Sequence, residues 1–464
     1  MFPPAARSSQ RAIGAEWILP VPAIFWITAA GILGSGLLFG NGRYTPLSLA
    51  AVLLALGIAW TGVGLARIPA FLVTRRGLGA GAIAILGIEF WLNGTWAPWG
   101  SLSGNPPATT IRQIVIGAAI VTVCLLAMGP RLRAYGAVVL LGLFAAACFW
   151  TLFVAGDPKC DVFTFTEHAI DGLLRGQNPY AIHYPLIYRP AMAQTFYPPG
   201  VVINGEVTVG YSYPPLALLL FLPAHLLGDP RWALIAAMVG TAILLMAIAP
   251  GRMGLLLAMV YLYSPRNIYM VGQGWVEPFC GFFVVGFVWS LCRGSKWAPY
   301  WLGAFLASKQ FCALMLPLMW LTLPETRRPA FLLRTLGLAV AVTLPFFLWN
   351  PAAFWEAIVT YHFRNPLRPD ALSLAVDAYR EWGVILPPAF CFTLALAATW
   401  VVSRGAAPGI LRFLAGGAVV WLIFFVTAKQ AFCNYYYLVI VFLCAAASGS
   451  LRIAGSGEMS NSAQ

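Results

Sequence analysis

Charge is what this sequence has least of. Of 464 residues, 15 are Asp or Glu and 28 are Lys or Arg, which makes 9% charged against 60% hydrophobic. A soluble domain carries about 25% charged and 45–50% apolar residues, so a water-soluble globular fold is excluded. Histidine is scarce as well, with four residues, and the nine cysteines form no Cys-x-x-Cys pair and no Cys/His ligand spacing. Neither a disulfide framework nor a zinc site is therefore expected. The chain also lacks Asp-x-Asp, which would hold a divalent metal on a nucleotide diphosphate, and it has no glycine-rich phosphate loop and no nucleophile elbow. The net charge of +13 would raise nucleic acid as a partner in a soluble protein. Here the basic residues stand singly between apolar runs, so retention by the positive-inside rule accounts for them and no nucleic-acid partner is expected.

Apolar runs fill the rest. A span needs about 20 apolar residues, and runs of that kind occur at 17–39, 47–66, 77–94, 113–129, 134–155, 231–249, 253–270, 275–292, 329–348, 384–403, 413–428 and 432–449. The run 297–323 is interrupted by Ser308-Lys309-Gln310 and reads as two short helices meeting at a polar break, which is tolerated where it lines a cavity. The run 213–228 is short. The fold class expected is an all-α polytopic transmembrane bundle of about 12–14 spans. Met1–Glu16, with Arg7 and Arg11, precedes a run without a small-residue cleavage signal, so it leads into a retained span. Three regions follow: N-terminal spans (1–150), a core with polar connections at 157–211 and 350–382 (151–449), and a tail (450–464) disordered from Ser456.

With the N-terminus in the cytoplasm and 213–228 entering without crossing, the inner segments hold 16 cations against three acids, and the outer ones 12 against 11. The non-crossing choice is made partly because it keeps this asymmetry. Both termini are then cytoplasmic, and the polar clusters fall on the outer side.

From Asp161, the apolar residues Phe163, Phe165, Ala169, Ile170, Leu173 and Leu174 recur at helical spacing, and Gly176 is placed as a helix stop. That describes an amphipathic helix at the membrane surface on the outer face. By spacing alone Asp161 is either a helix cap or a positioned carboxylate. An Asp just outside a span, an amphipathic helix, Gly176-Gln-Asn178-Pro-Tyr180 and then Tyr213-Pro-Pro opening an apolar run together resemble the GT-C superfamily. Its members are integral-membrane glycosyltransferases using polyprenyl-phosphate sugars, and the likeness is greatest to bacterial polyprenol-phosphate-mannose-dependent α-mannosyltransferases. Gly272-Gln273, Ser308-Lys309 and an aromatic-basic loop at 361–370 match in order, so the resemblance covers roughly 150–449. The chain departs from the family in carrying about five spans before the Asp. It departs again in Lys429-Gln430-Ala-Phe-Cys-Asn-Tyr-Tyr-Tyr, where a His or Trp would be expected.

The resemblance implies transfer of a hexose, mannose first, to a cell-envelope glycolipid or glycan at the outer leaflet of a bacterial inner membrane, with no cofactor and no metal. A phosphate-linked sugar already has a good leaving group, so one base and some cations suffice. Asp161 is the candidate base and Asp157 the runner-up. Lys309, Arg266, Arg368 and Lys429 are candidates for the donor phosphate, and Asn178, Tyr180, Tyr213, Gln273 and Glu277 for sugar or acceptor. Each has a plainer reading: Arg364 and Arg368 as interfacial anchors, Lys309 and Lys429 as snorkelling side chains, Tyr213-Pro-Pro as a helix start, and His168 and His362 as interfacial residues. A transporter or flippase of lipid-linked glycan, or a non-catalytic scaffold, is the alternative.

Overall fold

Within hydrocarbon every backbone N–H and C=O must find its partner inside the segment, so an apolar run of this length takes helical form. The computed structural model describes residues 21–65, 128–249 and 251–461 apart from 406 and 408, with short pieces between 84 and 125. Met1–Glu16, most of the run 77–94 and part of 113–129 lie outside the described residues.

The long elements in order are α1 (Val21–Phe39), α2 (Pro46–Leu65), α3 (Pro130–Ala155), the amphipathic α4 (Asp161–Leu174), α5 (Pro215–Leu227), α6 (Trp232–Ile248) and α7 (Arg252–Leu262). They continue with α8 (Glu277–Cys292), α9 (Ala298–Ser308), α10 (Pro329–Trp349), α11 (Leu374–Trp382), α12 (Pro388–Ser403), α13 (Gly409–Thr427) and α14 (Cys433–Asn461). Proline opens α2, α3, α5, α10 and α12, where its missing N–H costs no helical bond and its φ is already set. The core gathers on α14, whose apolar stretch is 89% buried against α1, α7, α8 and α13. At the other extreme, only 6% of the α10 stretch is buried, and its leucines face outward as lipid-facing side chains do.

Six described helices are long and apolar enough to cross a membrane, or seven if α5 and α6 form one span bent by 115°. That is the build of a multi-pass membrane protein, with fewer full-length helices than the sequence led us to expect. The expected spans at 253–270, 275–292 and 384–403 are shorter, whereas 297–323 is broken at Lys309 as expected. The first stops at Leu262, because Ser264-Pro265-Arg266 turns the chain, with Arg266 at φ 78°. The α5–α6 bend falls at Gly228-Asp-Pro-Arg231, where Gly228 has φ 136°.

Two details depart from what the sequence led us to expect. Between Tyr184 and Val207 lies a three-stranded antiparallel sheet of two-residue strands, β1 (Tyr184–Pro185), β2 (Val202–Ile203) and β3 (Glu206–Val207), in the order β1-β3-β2. The β2–β3 turn is Asn204-Gly205 with both φ positive, the geometry that Asn-Gly favours. The second is α14, which runs on to Asn461 through residues read as a disordered tail. Extending an established helix adds a bond per residue without a new nucleation cost.

Candidate active site

α4 begins at Asp161, as its periodicity predicts, and ends at Leu174, with Gly176 (φ 75°) just past the cap and Gln177 N–H bonded back to Gly172 C=O at 2.9 Å. Phe163, Phe165, Ala169 and Ile170 are buried, while Leu174 faces out. Cys160 occupies the cap position, so Asp161 is the first helical residue rather than the cap. Its Oδ1 accepts from Val162 N–H at 2.9 Å, and its Oδ2 from the Tyr197 hydroxyl at 3.4 Å. Its own N–H donates to the Tyr188 hydroxyl at 3.3 Å. Burial raises its pKa above the ordinary carboxylate value. The Val162 N–H, the Arg368 charge and the two tyrosine hydroxyls oppose the rise.

The polar break in 297–323 falls at Lys309, whose backbone is extended between α9 and a 3₁₀ turn, Gln310–Met315. The Lys309 ammonium is buried. It pairs with Glu277 at the start of α8 and lies 4.8–5.1 Å from the ring centres of Tyr213, Phe311 and Tyr435. Glu277 Oε1 also accepts from Asn434 Nδ2 at 2.7 Å, and the carboxylate has no exposed surface. A buried charge is tolerated when it is paired and hydrogen-bonded, and this pair joins the break at Lys309 to α8 and α14.

Both residues meet at one cavity of about 740 Å³. Five basic side chains line it (Arg43, Lys159, Lys309, Arg368 and Lys429) against two acidic ones, Asp161 and Asp370. Leu314, Pro317, Leu386, Phe392 and Phe424 are among its apolar lining, and the Phe392 and Phe424 rings pack edge to face at 5.1 Å. Arg368 bonds to both Asp370 oxygens at 3.0 Å and stacks over Phe196 at 3.6 Å, so it belongs to the cavity wall. Lys429 donates to the carbonyls of Phe363 (2.8 Å) and Asn365, which braces the loop beside the cavity. Tyr213 and Gln273 also line the space.

The remaining sequence candidates lie elsewhere. Glu277 sits behind Lys309 and contributes no lining surface. Asn178 closes a turn on Tyr180 N–H at 2.9 Å, and the Tyr180 hydroxyl holds Tyr213 C=O at 2.8 Å, so this pair is scaffolding. Arg266 is buried over the Tyr269 ring at 5.2 Å, outside the lining. Asp157 turns away to Arg231 at 3.3 Å. Sequence reasoning missed Arg231, a buried guanidinium that also takes Asp229 at 2.7 Å and the Gly156 and Gly272 carbonyls at 3.0 and 3.3 Å. It pins the start of α6 to the approach to α4. Nothing local marks it, since Asp229-Pro-Arg231 reads as a plain turn.

His362, read as interfacial, is a cavity residue. Gln310 Nε2 lies 2.6 Å from its Nε2, and burial lowers its pKa to about 4, so the ring is neutral at pH 7. Tyr188, Arg43 and Lys159 are among the other lining residues that sequence reasoning missed. What the arrangement can do chemically is accept a proton at a buried carboxylate while cations attract an anionic group and an apolar lining takes a hydrocarbon. The chain matches no protein-family model, no curated protein and no solved structure.

Proposed function

We propose that this protein is an integral-membrane glycosyltransferase that moves a hexose, mannose first, from a polyprenyl-phosphate donor to a cell-envelope glycolipid or glycan at the outer leaflet. The single observation that carries the proposal is the cavity, which brings a partly buried carboxylate, a surplus of cations and an apolar lining to one space. An amphipathic anion of that description is what a polyprenyl-phosphate sugar is.

In this reading the acceptor hydroxyl gives its proton to Asp161 as its oxygen attacks the anomeric carbon. The bond from that carbon to the phosphate oxygen breaks, and the phosphate leaves towards Arg368 and Lys309. The raised pKa of Asp161 makes it a stronger base than an exposed carboxylate, and base strength governs such proton transfer. Asp157 stays second to Asp161, because it lies outside the cavity lining and its carboxylate contacts Arg231.

Reconstituted protein given vesicles with a radiolabelled polyprenyl-phosphate sugar and extracted envelope glycolipid tests the proposal. Label should move to the glycolipid. Movement of intact donor between leaflets without transfer would identify a flippase, and neither event would leave a scaffold.

A further inference from the structure

The turn between α1 and α2 lies more than a hundred residues before the core that the sequence likeness covers, yet Asn41, Gly42 and Arg43 line the cavity. Its shape is set by the end of α1. Gly42 N–H bonds to Leu37 C=O at 2.8 Å and Asn41 N–H to Leu38 C=O at 3.3 Å, with Asn41 and Gly42 at φ 57° and 74°. Those paired bonds define a Schellman motif. Gly42 packs so closely on α14 that an added Cβ would lie 2.5 Å from Cys433 Cβ. Tyr44 N–H bonds to Asp370 C=O at 2.9 Å, the Tyr44 hydroxyl bonds to Asp377 on α11, and Arg380 stacks over the Tyr44 ring at 4.3 Å. The turn is therefore clamped to two walls of the cavity.

Arg43 then reaches Asp370 at 3.6 Å. The same carboxylate is already held by Arg368 through two bonds of 3.0 Å. One negative charge is shared by two guanidinium groups, so the trio is left with one unbalanced positive charge. Without Arg43, Asp370 would cancel Arg368.

We propose that the α1–α2 turn is a working wall of the ligand cavity, with Arg43 supplying the positive charge that lets the Arg368–Asp370 pair attract an anionic lipid headgroup. The proposal rests on the reading of the ligand as a polyprenyl-phosphate sugar. It makes the first two spans part of the binding unit rather than an added anchor. Arg43 is a binding residue on this account and Tyr44 a positioning one.

The Arg43 side chain is 64% exposed, so its replacement leaves the fold intact. Farnesyl phosphate binding to nanodisc-held protein is measured for wild type, Arg43→Gln and Arg43→Lys at low and high salt, with thermal unfolding alongside. Arg43→Gln should weaken binding roughly tenfold at low salt, the scale of one partly solvated charge contact. The deficit should shrink as salt rises, because exposed charges are screened. Arg43→Lys should recover most of the affinity, and the unfolding temperature should stay put. In the transfer assay KM for the donor should rise with kcat nearly unchanged. Equal binding by wild type and Arg43→Gln at every salt concentration overturns the role of Arg43 alone. Absence of binding by wild type overturns the anionic-lipid reading and this inference with it.

Discussion

Replacing Lys309 by Met would leave Glu277 as a carboxylate with no exposed surface and no cation beside it. A charged group left buried without its partner costs about 3–5 kcal/mol. The Asn434 amide at 2.7 Å still donates to Glu277, which eases that cost slightly. Lys309→Met should therefore destabilise by about 3–4 kcal/mol. The double variant Lys309→Met/Glu277→Gln removes both charges and keeps the Asn434 bond, so its stability should return to within about 1 kcal/mol of wild type. Unfolding in nanodiscs of the wild type, both single variants and the double variant measures the coupling. A Lys309→Met protein within about 0.5 kcal/mol of wild type would mean that the pair is solvated and that the reasoning is wrong. The double variant also gives a clean test of the donor role, which Lys309→Met alone does not. A folded double variant should transfer at least about tenfold more slowly, and wild-type kinetics there would confine Lys309 to holding the break in 297–323.

Asp161→Asn keeps size and hydrogen bonding but removes the base, so transfer should fall at least about a hundredfold while donor binding changes little; normal transfer would remove Asp161 from the mechanism. The base works only when deprotonated, so transfer should rise with pH along a limb above the ordinary carboxylate range. Arg368→Gln removes a charge that holds that pKa down and should move the limb to higher pH, and a limb that moved lower would contradict the assignment. Chelation should leave transfer almost unaffected, because the chain has no Asp-x-Asp and the donor carries a monophosphate; a requirement for Mn²⁺ or Mg²⁺ would show otherwise. A Cys probe replacing Gln194 should react with an impermeant reagent from outside intact cells and one replacing Arg404 should not, and the reverse pattern would invert the topology.

The parts of the fold that were legible in the sequence depend on local chemistry. Asp161 to Gly176 could be read because helix periodicity, a first-turn acid and a terminal glycine all lie within 16 residues. The break at Lys309 was legible for a similar reason, since an ammonium inside an apolar run has few places to go. The Asn204-Gly205 hairpin was equally local and was missed because the segment was read as one long polar connection. Span lengths were the least legible. Hydropathy reports how long an apolar run is, whereas the left-handed turn at Arg266 is a backbone event that leaves the run's composition unchanged.

The site divides along the same line. Lys309 and Lys429 announced themselves as charges that are expensive beside apolar runs, while Asp161, Arg368, Tyr213 and Gln273 came from the family resemblance, and all six line the cavity. Their roles depend on partners that sequence does not bring together. Glu277 was read as a sugar ligand because nothing within its own helix shows that Lys309 and Asn434 converge on it. Arg231 and Arg43 were passed over because each lies on a short polar turn, where a charge costs little and carries no signal. Both act on carboxylates far along the chain, Asp157 and Asp370. Charge placed where it is cheap becomes informative only once the fold sets another charge beside it. For Arg43 that neighbour is a carboxylate already claimed by Arg368, and the surplus charge that results belongs to neither segment alone.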